Sequence, residues 1–265
     1  LIRPSHGNVV LLGESLHKLS ARQLRAKRSD MQIIFQDPLA SLNPRMTIAD
    51  ILCEPLDTYQ PDLSGNAKLE RAAEMLRKVG LSVEHLNRYP HEFSGGQCQR
   101  IGIARALLFN PKLIVCDEPV SALDVSVQAK VVELLIQLQK ELGLSLVYIA
   151  HDLAVVRQVS HRVMVMYLGK TVELADRDAI YADPRHPYTQ ALIAAVPIPD
   201  PDIQRSRGHA MLQGDLPSPL KPPAGCAFQS RCPLAEARCT AEEPVLRTVG
   251  VSQVACHFAG RKYSA

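Results

Sequence analysis

Phe93-Ser94-Gly95-Gly96-Gln97 is the stretch that decides the fold, because an ordered series of motifs follows it. A Ser-Gly-Gly turn that opens a helix is typical of phosphate binding, since backbone N–H groups converge there and the helix dipole favours negative charge. The apolar run from Leu113 to Pro119 then brings Asp117 and Glu118 to the end of a strand. Two carboxylates in that position suit a metal ion and a general base for nucleotide hydrolysis.

Further motifs lie on both sides of this pair. The acidic pair is followed closely by Ser121-Ala122-Leu123-Asp124 and preceded by Ile33-Ile34-Phe35-Gln36-Asp37-Pro38. His151 comes directly after another apolar run. Each piece is weak alone, but their order and spacing are specific. The order resembles the nucleotide-binding subunit of ABC transporters, over roughly residues 1–183.

The resemblance assigns a role to each site residue. It implies that Asp117 holds Mg²⁺ directly or through water, that Glu118 polarises the attacking water as general base, and that His151 contacts the γ-phosphate of ATP. Gln36 would reach Mg²⁺ and water through its amide. Two subunits of this family pair head to tail, so that the signature of one faces the ATP held by the other. The residues implied in that contact are Ser94, Gly95, Gly96, Gln97 and the D-loop Asp124.

One expected motif is absent from the sequence. No G-x-x-x-x-G-K-[ST] P-loop occurs in the chain, and in the family that motif lies shortly upstream of the segment matched by residues 3–7. The first residue is Leu rather than Met. We interpret the chain as a truncated product or fragment that begins just after the P-loop helix. We expect the full-length parent to be an ATPase and this chain alone to be inactive.

Hydrophobic periodicity predicts an α/β fold. Continuous apolar runs predict parallel strands buried on both faces at Met31 to Phe35, Leu113 to Cys116 and Leu146 to Ala150. Apolar residues at helical spacing predict helices at Lys68 to Val79, Gln97 to Leu108 and Val127 to Leu142. The run from Arg162 to Glu173, broken at Gly169-Lys170, predicts an antiparallel hairpin on the sheet edge. Tyr188 to Val196 is expected to form a small helix.

These elements define the predicted architecture. Residues 1–183 form a P-loop-type nucleotide-binding domain with a parallel sheet core and a helical subdomain at about residues 37–110. Residues 184–265 form a small Cys- and Pro-rich C-terminal extension. Its prolines crowd a short span: Pro184, Pro187, Pro197, Pro199, Pro201, Pro217, Pro219, Pro222 and Pro223.

Composition excludes several classes of protein. The 265 residues carry a net charge of only +3, with no basic stripe interleaved with aromatic residues, which argues against a nucleic-acid partner. Hydrophobic residues make up 46% of the chain, enough for a real core. No apolar stretch reaches the length that spans a bilayer, so we expect a soluble chain.

Four of the seven cysteines cluster near the C terminus, at Cys226, Cys232, Cys239 and Cys256. In a reducing compartment such a cluster favours a metal site over disulfides. The absence of C-x-x-C fits a zinc ribbon poorly, whereas four thiolates suit a [4Fe–4S] cluster. Zinc and unligated thiols remain the alternatives.

Four segments narrow the resemblance to the oligopeptide and dipeptide importer branch of this family. They are His186-Pro187-Tyr188, Gly225-Cys226, Arg231-Cys232-Pro233 and the run from Phe35 to Met46. That branch implies an ATPase at the cytoplasmic face of the cell membrane, with a second ATPase subunit, two membrane permeases and, indirectly, a substrate-binding protein as partners. It also implies an iron–sulfur cluster. The alternatives are a soluble ABC ATPase of translation or DNA repair, and an inactive fragment that only binds partners.

Overall fold

The computed structural model describes residues 4–196, 214–215, 217–218, 220 and 223–262. The chain divides into two compact units, Leu1–His151 and Asp152–Ala265. This division falls earlier than the boundary at residue 183 that the sequence suggested. Among the described residues, no helix has the length and apolar character needed to cross a membrane.

The elements occur in the following order. The strands are β1 Val10–Leu11, β2 Glu14–Ser15, β3 Met31–Ile34, β4 Leu113–Asp117, β5 Ser145–Ile149, β6 Arg162–Tyr167, β7 Lys170–Asp176, β8 Arg247–Val249 and β9 Ser252–Val254. The α-helices are α1 Ala21–Lys27, α2 Ile48–Tyr59, α3 Gly65–Lys78, α4 Gly95–Leu107, α5 Val125–Leu142, α6 Leu153–Val159, α7 Arg177–Ala182, α8 Pro187–Ala194 and α9 Ala237–Ala241.

A parallel three-stranded sheet in the order β3-β4-β5 organises the first unit. The register pairs Ile34 with Cys116 and Cys116 with Tyr148. Helix α5 connects β4 to β5, and Gly143 ends it in the left-handed conformation with φ of 62°. The α/β class and the parallel core predicted from the sequence are confirmed. Because parallel strands place their carboxyl ends at one edge, the residues that follow β3, β4 and β5 meet there.

The two faces of this sheet differ in burial, contrary to the prediction of strands buried on both faces. Ile34, Ile114 and Cys116 are buried on one face. On the other, Ile33 and Val147 are 41% and 48% exposed. A parallel strand is buried on both sides only where elements cover both sides, and the described part of the first unit covers one.

Helices α2, α3 and α4 pack together in the first unit, where the helical subdomain was predicted. Each of the three begins at a hydroxyl N-cap, namely Thr47, Ser64 and Ser94, which satisfies backbone N–H groups at the start of the helix. The Arg105 guanidinium donates to the Ser41 carbonyl at 2.6 Å and so ties α4 to the segment after β3.

An antiparallel four-stranded sheet in the order β6-β7-β9-β8 organises the second unit. The predicted hairpin forms, with Leu168 and Gly169 at positive φ in its turn. Its predicted place on the edge of the parallel sheet was wrong: β7 instead pairs with β9 through Glu173–Val254 and Leu174–Gln253. The C-terminal extension therefore supplies strands to the hairpin's own sheet.

Helix α8 matches the small helix predicted in the extension, starting one residue earlier. The stretch that follows contains Pro197, Pro199, Pro201, Pro219 and Pro222, all of which lie outside the described residues. The extension resumes with Gln229–Arg231 in a short 3₁₀-helix, then α9 and the β8-β9 pair.

Candidate functional site

The carboxyl edge of the parallel sheet carries the predicted acidic pair. Asp117 is the last residue of β4, paired with Ile149 of β5. Glu118 follows it and donates its backbone N–H to the Ile149 carbonyl at 3.0 Å. Both side chains are half-buried, at the edge where ligands bind in open α/β sheets.

Gln36 and His151 both reach Glu118, each holding one oxygen of its carboxylate. Gln36 Nε2 donates to Glu118 Oε2 at 3.0 Å, and His151 Nδ1 lies 3.2 Å from Glu118 Oε1. The three residues follow three different strands. The Glu118 side chain is 26% exposed and that of His151 72% exposed, so the imidazole faces solvent and can reach a ligand.

The backbone at Glu118 adopts an unusual conformation. Its φ is 44°, in the left-handed region that non-glycine residues seldom occupy. The Glu118 carbonyl accepts hydrogen bonds from the backbone N–H and the hydroxyl of Ser121, at 3.2 and 3.1 Å. This turn holds the residue in place and directs its side chain between Gln36 and His151, as is typical of strained functional positions.

Ser94 and Gln97 form a capping box at the start of α4. Ser94 N–H donates to Gln97 Oε1 at 3.0 Å, and Gln97 N–H donates to Ser94 Oγ at 3.3 Å. The Gln97 side chain is therefore engaged within the turn. Ser94 itself is exposed, so its hydroxyl and the first turn of α4 are available to a ligand.

Of the two signature glycines, Gly96 allows a close approach between α4 and α5. A Cβ on Gly96 would lie 2.2 Å from Val127 Cγ1, whereas one on Gly95 would lie 3.4 Å from Leu123 Cδ2. Gly96 is buried. Its lack of a side chain is thus required by packing inside this chain, a role the sequence alone did not reveal.

Asp124 is the N-cap of α5. Its carboxylate accepts from Ser126 Oγ at 2.7 Å and from Val127 N–H at 3.0 Å. The hydrogen bond from Ser126, followed by that from the Val127 backbone, lowers the pKa of Asp124. The residue therefore stays ionised at the surface, close in sequence to the contact between Val127 and Gly96.

The four C-terminal cysteines lie in the second unit as free thiols. Burial, and to a smaller extent the neighbouring Cys256, Cys226 and Cys239, raise the pKa of Cys232 to about 11. Burial also raises the pKa of Cys226 and Cys256. Across the described residues, no group of three or more His, Cys, Asp or Glu could hold a metal ion. The predicted iron–sulfur cluster therefore finds no support in this geometry.

His186 and Glu173 were given no role by the sequence analysis. His186 is 1% exposed and Glu173 is fully buried. The Glu173 carboxylate accepts the backbone N–H groups of Arg185 and His186, both at 2.8 Å. The sequence signal that could have placed His186 at the start of a helix is the following Pro187, because proline is common at the first helical position.

Comparison with solved structures identifies the class of protein that this fold and site define. The chain is similar to the dimeric ATP-binding cassette MJ0796 in a post-hydrolysis state with ADP and Pi, at 31% identity and a TM-score of 0.59 over 66% of this chain and 75% of that one. It is also similar to cbiO1 of Clostridium perfringens, part of the ABC transporter complex cbiONQ. There the identity is 26% and the TM-score 0.61, over 69% of this chain and 71% of that one.

Sequence comparison makes the assignment more specific. Residues 1–121 match the ABC transporter family, and residues 172–239 match the oligopeptide/dipeptide transporter C-terminal region. The oligopeptide transport ATP-binding protein OppF of Escherichia coli is 58% identical over 97% of this chain and 77% of its own length. OppF of Haemophilus influenzae is 57% identical over the same shares. The chain belongs to the ABC transporter ATP-binding proteins, in their oligopeptide transport branch.

Proposed function

We propose that this chain belongs to the ATP-hydrolysing subunit of an importer that takes up peptides. The observation that carries the proposal is the convergence of Gln36 and His151 on the carboxylate of Glu118, next to Asp117. The peptide substrate is supported by the oligopeptide transport relatives and by the matching C-terminal region. The same relatives favour transport over the alternative of a role in translation or DNA repair.

In this proposal Glu118 is the general base. Its carboxylate accepts the proton of the attacking water, while Gln36 and His151 hold its two oxygens and so fix its orientation. The exposure of the His151 ring supports the proposal that it contacts the γ-phosphate. The turn through Ser121 fixes the backbone of Glu118, from which this carboxylate extends.

Asp117 and Gln36 fit a magnesium ion. Within the described part of the chain, the Asp117 carboxylate and the Gln36 amide oxygen make no hydrogen bond. Oxygen ligands of this kind suit Mg²⁺, which takes only one or two protein ligands and keeps several waters. When bound, the ion would neutralise charge on the phosphates.

We propose that Ser94, Gly95 and Gly96 act on the ATP of a second ATPase subunit, with Asp124 at the same contact. The exposed cap of α4 supports this arrangement. The test mixes a Ser94→Arg variant with a Glu118→Gln variant, in chains extended at the N terminus by a P-loop segment. A mixed head-to-tail dimer holds one intact composite site, so the mixture should recover turnover that neither variant has alone. If a verified mixed dimer does not recover turnover, the head-to-tail arrangement is contradicted.

The remaining partners follow from the proposed transport role. They are two membrane permeases, with the chain bound peripherally at the cytoplasmic face, and a substrate-binding protein that acts through those permeases. The test is affinity purification from solubilised membranes of the source cells. Permease subunits in the eluate would support the proposal, and ribosomes or DNA in their place would contradict it.

The iron–sulfur cluster stays a proposal that rests on the cysteine pattern and the family resemblance, since the described residues do not arrange their thiols around a metal. Iron and sulfide analysis with an ultraviolet–visible spectrum of anaerobically purified protein tests it. About four irons and four sulfides per chain would support a [4Fe–4S] cluster. A colourless, iron-free and fully folded sample would exclude it.

The experiment that tests ATP hydrolysis compares two versions of the protein. The 265-residue chain lacks a phosphate-cradling motif in its sequence, so we expect it to bind and hydrolyse little ATP. A version extended by a P-loop segment should turn over ATP in a Mg²⁺-dependent way. Robust turnover by the unextended chain would contradict the first expectation, and an inactive extended dimer would contradict the assignment.

A further inference from the structure

A cluster of aromatic rings lies buried in the second unit, around Phe228. The Phe228 ring is 5.2 Å from that of Tyr167, 5.3 Å from that of Tyr188 and 5.8 Å from that of His186. Phe228 is only 1% exposed. We call Tyr167, His186 and Tyr188 the aromatic socket, because together they surround this one ring.

Hydrogen bonds from a buried carboxylate hold the socket in shape. Glu173, at the centre of β7, accepts the backbone N–H groups of Arg185 and His186. His186 Nδ1 in turn accepts the Tyr188 N–H at 3.0 Å and caps α8. A buried carboxylate is costly without such donors, so these contacts fix the chain direction where His186 and Tyr188 enter the cluster.

Phe228 belongs to the segment that carries the first cysteines of the extension. Cys226, two residues before it, donates its backbone N–H to the Cys239 carbonyl at 2.7 Å. A Cβ on Gly225 would lie 2.2 Å from the same carbonyl oxygen. The two cysteine-bearing segments therefore meet backbone to backbone, and Phe228 is the large side chain that anchors the first of them in the core.

We infer that the His186-Pro187-Tyr188 motif is a positioning device: its socket seats Phe228 and thereby holds residues 225–232 against Cys239. Glu173, His186 and Tyr188 are the positioning residues of this arrangement. The role concerns the second unit and is independent of ATP hydrolysis.

Amide hydrogen exchange of the 265-residue chain, read by mass spectrometry, tests the inference. Phe228→Ala should speed exchange of residues 225–232, including the Cys226 amide, on the order of tenfold, because the anchoring ring is lost. Residues of α6 and α7 should keep their rates. Phe228→Leu keeps an apolar anchor without the ring contacts and should produce a smaller increase in exchange. It provides the test if Phe228→Ala does not fold.

Two further variants separate positioning from general destabilisation. Ile180→Ala removes a side chain of α7 that is 1% exposed in the same unit but outside the socket, and should leave residues 225–232 protected. His186→Asn retains an oxygen that accepts the Tyr188 N–H, so it should keep more protection than His186→Ala. Unchanged exchange in both Phe228 variants, or an equal increase in Ile180→Ala, would overturn the inference.

Discussion

Gln36 and Glu118 are 82 positions apart in the sequence, yet they share a hydrogen bond of 3.0 Å at the carboxyl edge of the parallel sheet. The bond links the end of β3 to the end of β4. Gln36 is followed by the segment that leads into the helical part of the first unit. A movement of that part would therefore displace a hydrogen-bond donor of the proposed general base. The relationship joins the proposed general base to the segment that precedes α2.

Replacing Glu118 by Gln removes the proposed base while keeping the shape of the side chain. We expect ATP turnover to fall by about 10²- to 10⁴-fold with ATP binding retained, because proton transfer from water is lost. Turnover and nucleotide binding are measured in the version extended by a P-loop segment. The matched control is Glu141→Gln in α5, an exposed carboxylate that contacts Gln137. Wild-type turnover in Glu118→Gln would remove Glu118 from its role.

Replacing Gln36 by Ala should have a smaller effect. It removes one hydrogen bond from Glu118 and one amide oxygen from the proposed magnesium site, while the base and Asp117 remain. We expect turnover to fall by roughly tenfold, the effect of a single hydrogen bond, with a higher Mg²⁺ requirement. A Mg²⁺ titration of turnover checks both. An unchanged Mg²⁺ dependence would show that the Gln36 oxygen is not a ligand.

Gly96→Ala should destabilise the first unit through overpacking. The added Cβ would lie 2.2 Å from Val127 Cγ1, and we expect a loss of about 1–3 kcal/mol in the free energy of unfolding. Urea unfolding of the 265-residue chain, followed by circular dichroism, measures this loss.

Two matched variants test the cause of that loss. Gly95→Ala places its Cβ 3.4 Å from Leu123 Cδ2, an ordinary contact, and should change stability little. In a Val127→Ala background the offending methyl is gone and Val127 Cβ lies 3.6 Å away, so the cost of Gly96→Ala should largely disappear. A cost that persists in that background would assign the glycine requirement to something other than this contact.

The sequence predicted the parallel core and the acidic pair because both depend on local patterns. Apolar runs located β3, β4 and β5, and motif spacing singled out Asp117, Glu118 and His151, whose roles stay predictions. The sequence did not predict that Gln36 and His151 each contact one oxygen of the Glu118 carboxylate. That geometry depends on the order of the strands and on the positive φ of Glu118.

The errors lay where tertiary partners decide the outcome. The hairpin of β6 and β7 was correctly located, but its neighbour β9 comes from residues some eighty positions later, which no local pattern connects. The sequence singled out His186 only as part of the His186-Pro187-Tyr188 motif and did not predict its burial. Its burial follows from Glu173 and Phe228, whose positions are set by the antiparallel sheet and the extension.

His186 should also make the second unit sensitive to acid. Burial lowers its pKa to about 4, below the ordinary value of 6.5, so the unfolded chain binds the proton more readily than the folded one. The contribution of His186 to the free energy of unfolding is therefore fully present above about pH 6.5. It should fall as the pH drops toward 4, with a slope approaching about 1.4 kcal/mol per pH unit.

Urea unfolding of the 265-residue chain at several pH values measures this slope, with hydrogen exchange of residues 152–265 reporting on the second unit. His186→Asn should flatten it, and His91→Asn, which changes an exposed histidine of the first unit, should not. An equal slope in wild type and His186→Asn would show that groups other than His186 cause the acid sensitivity.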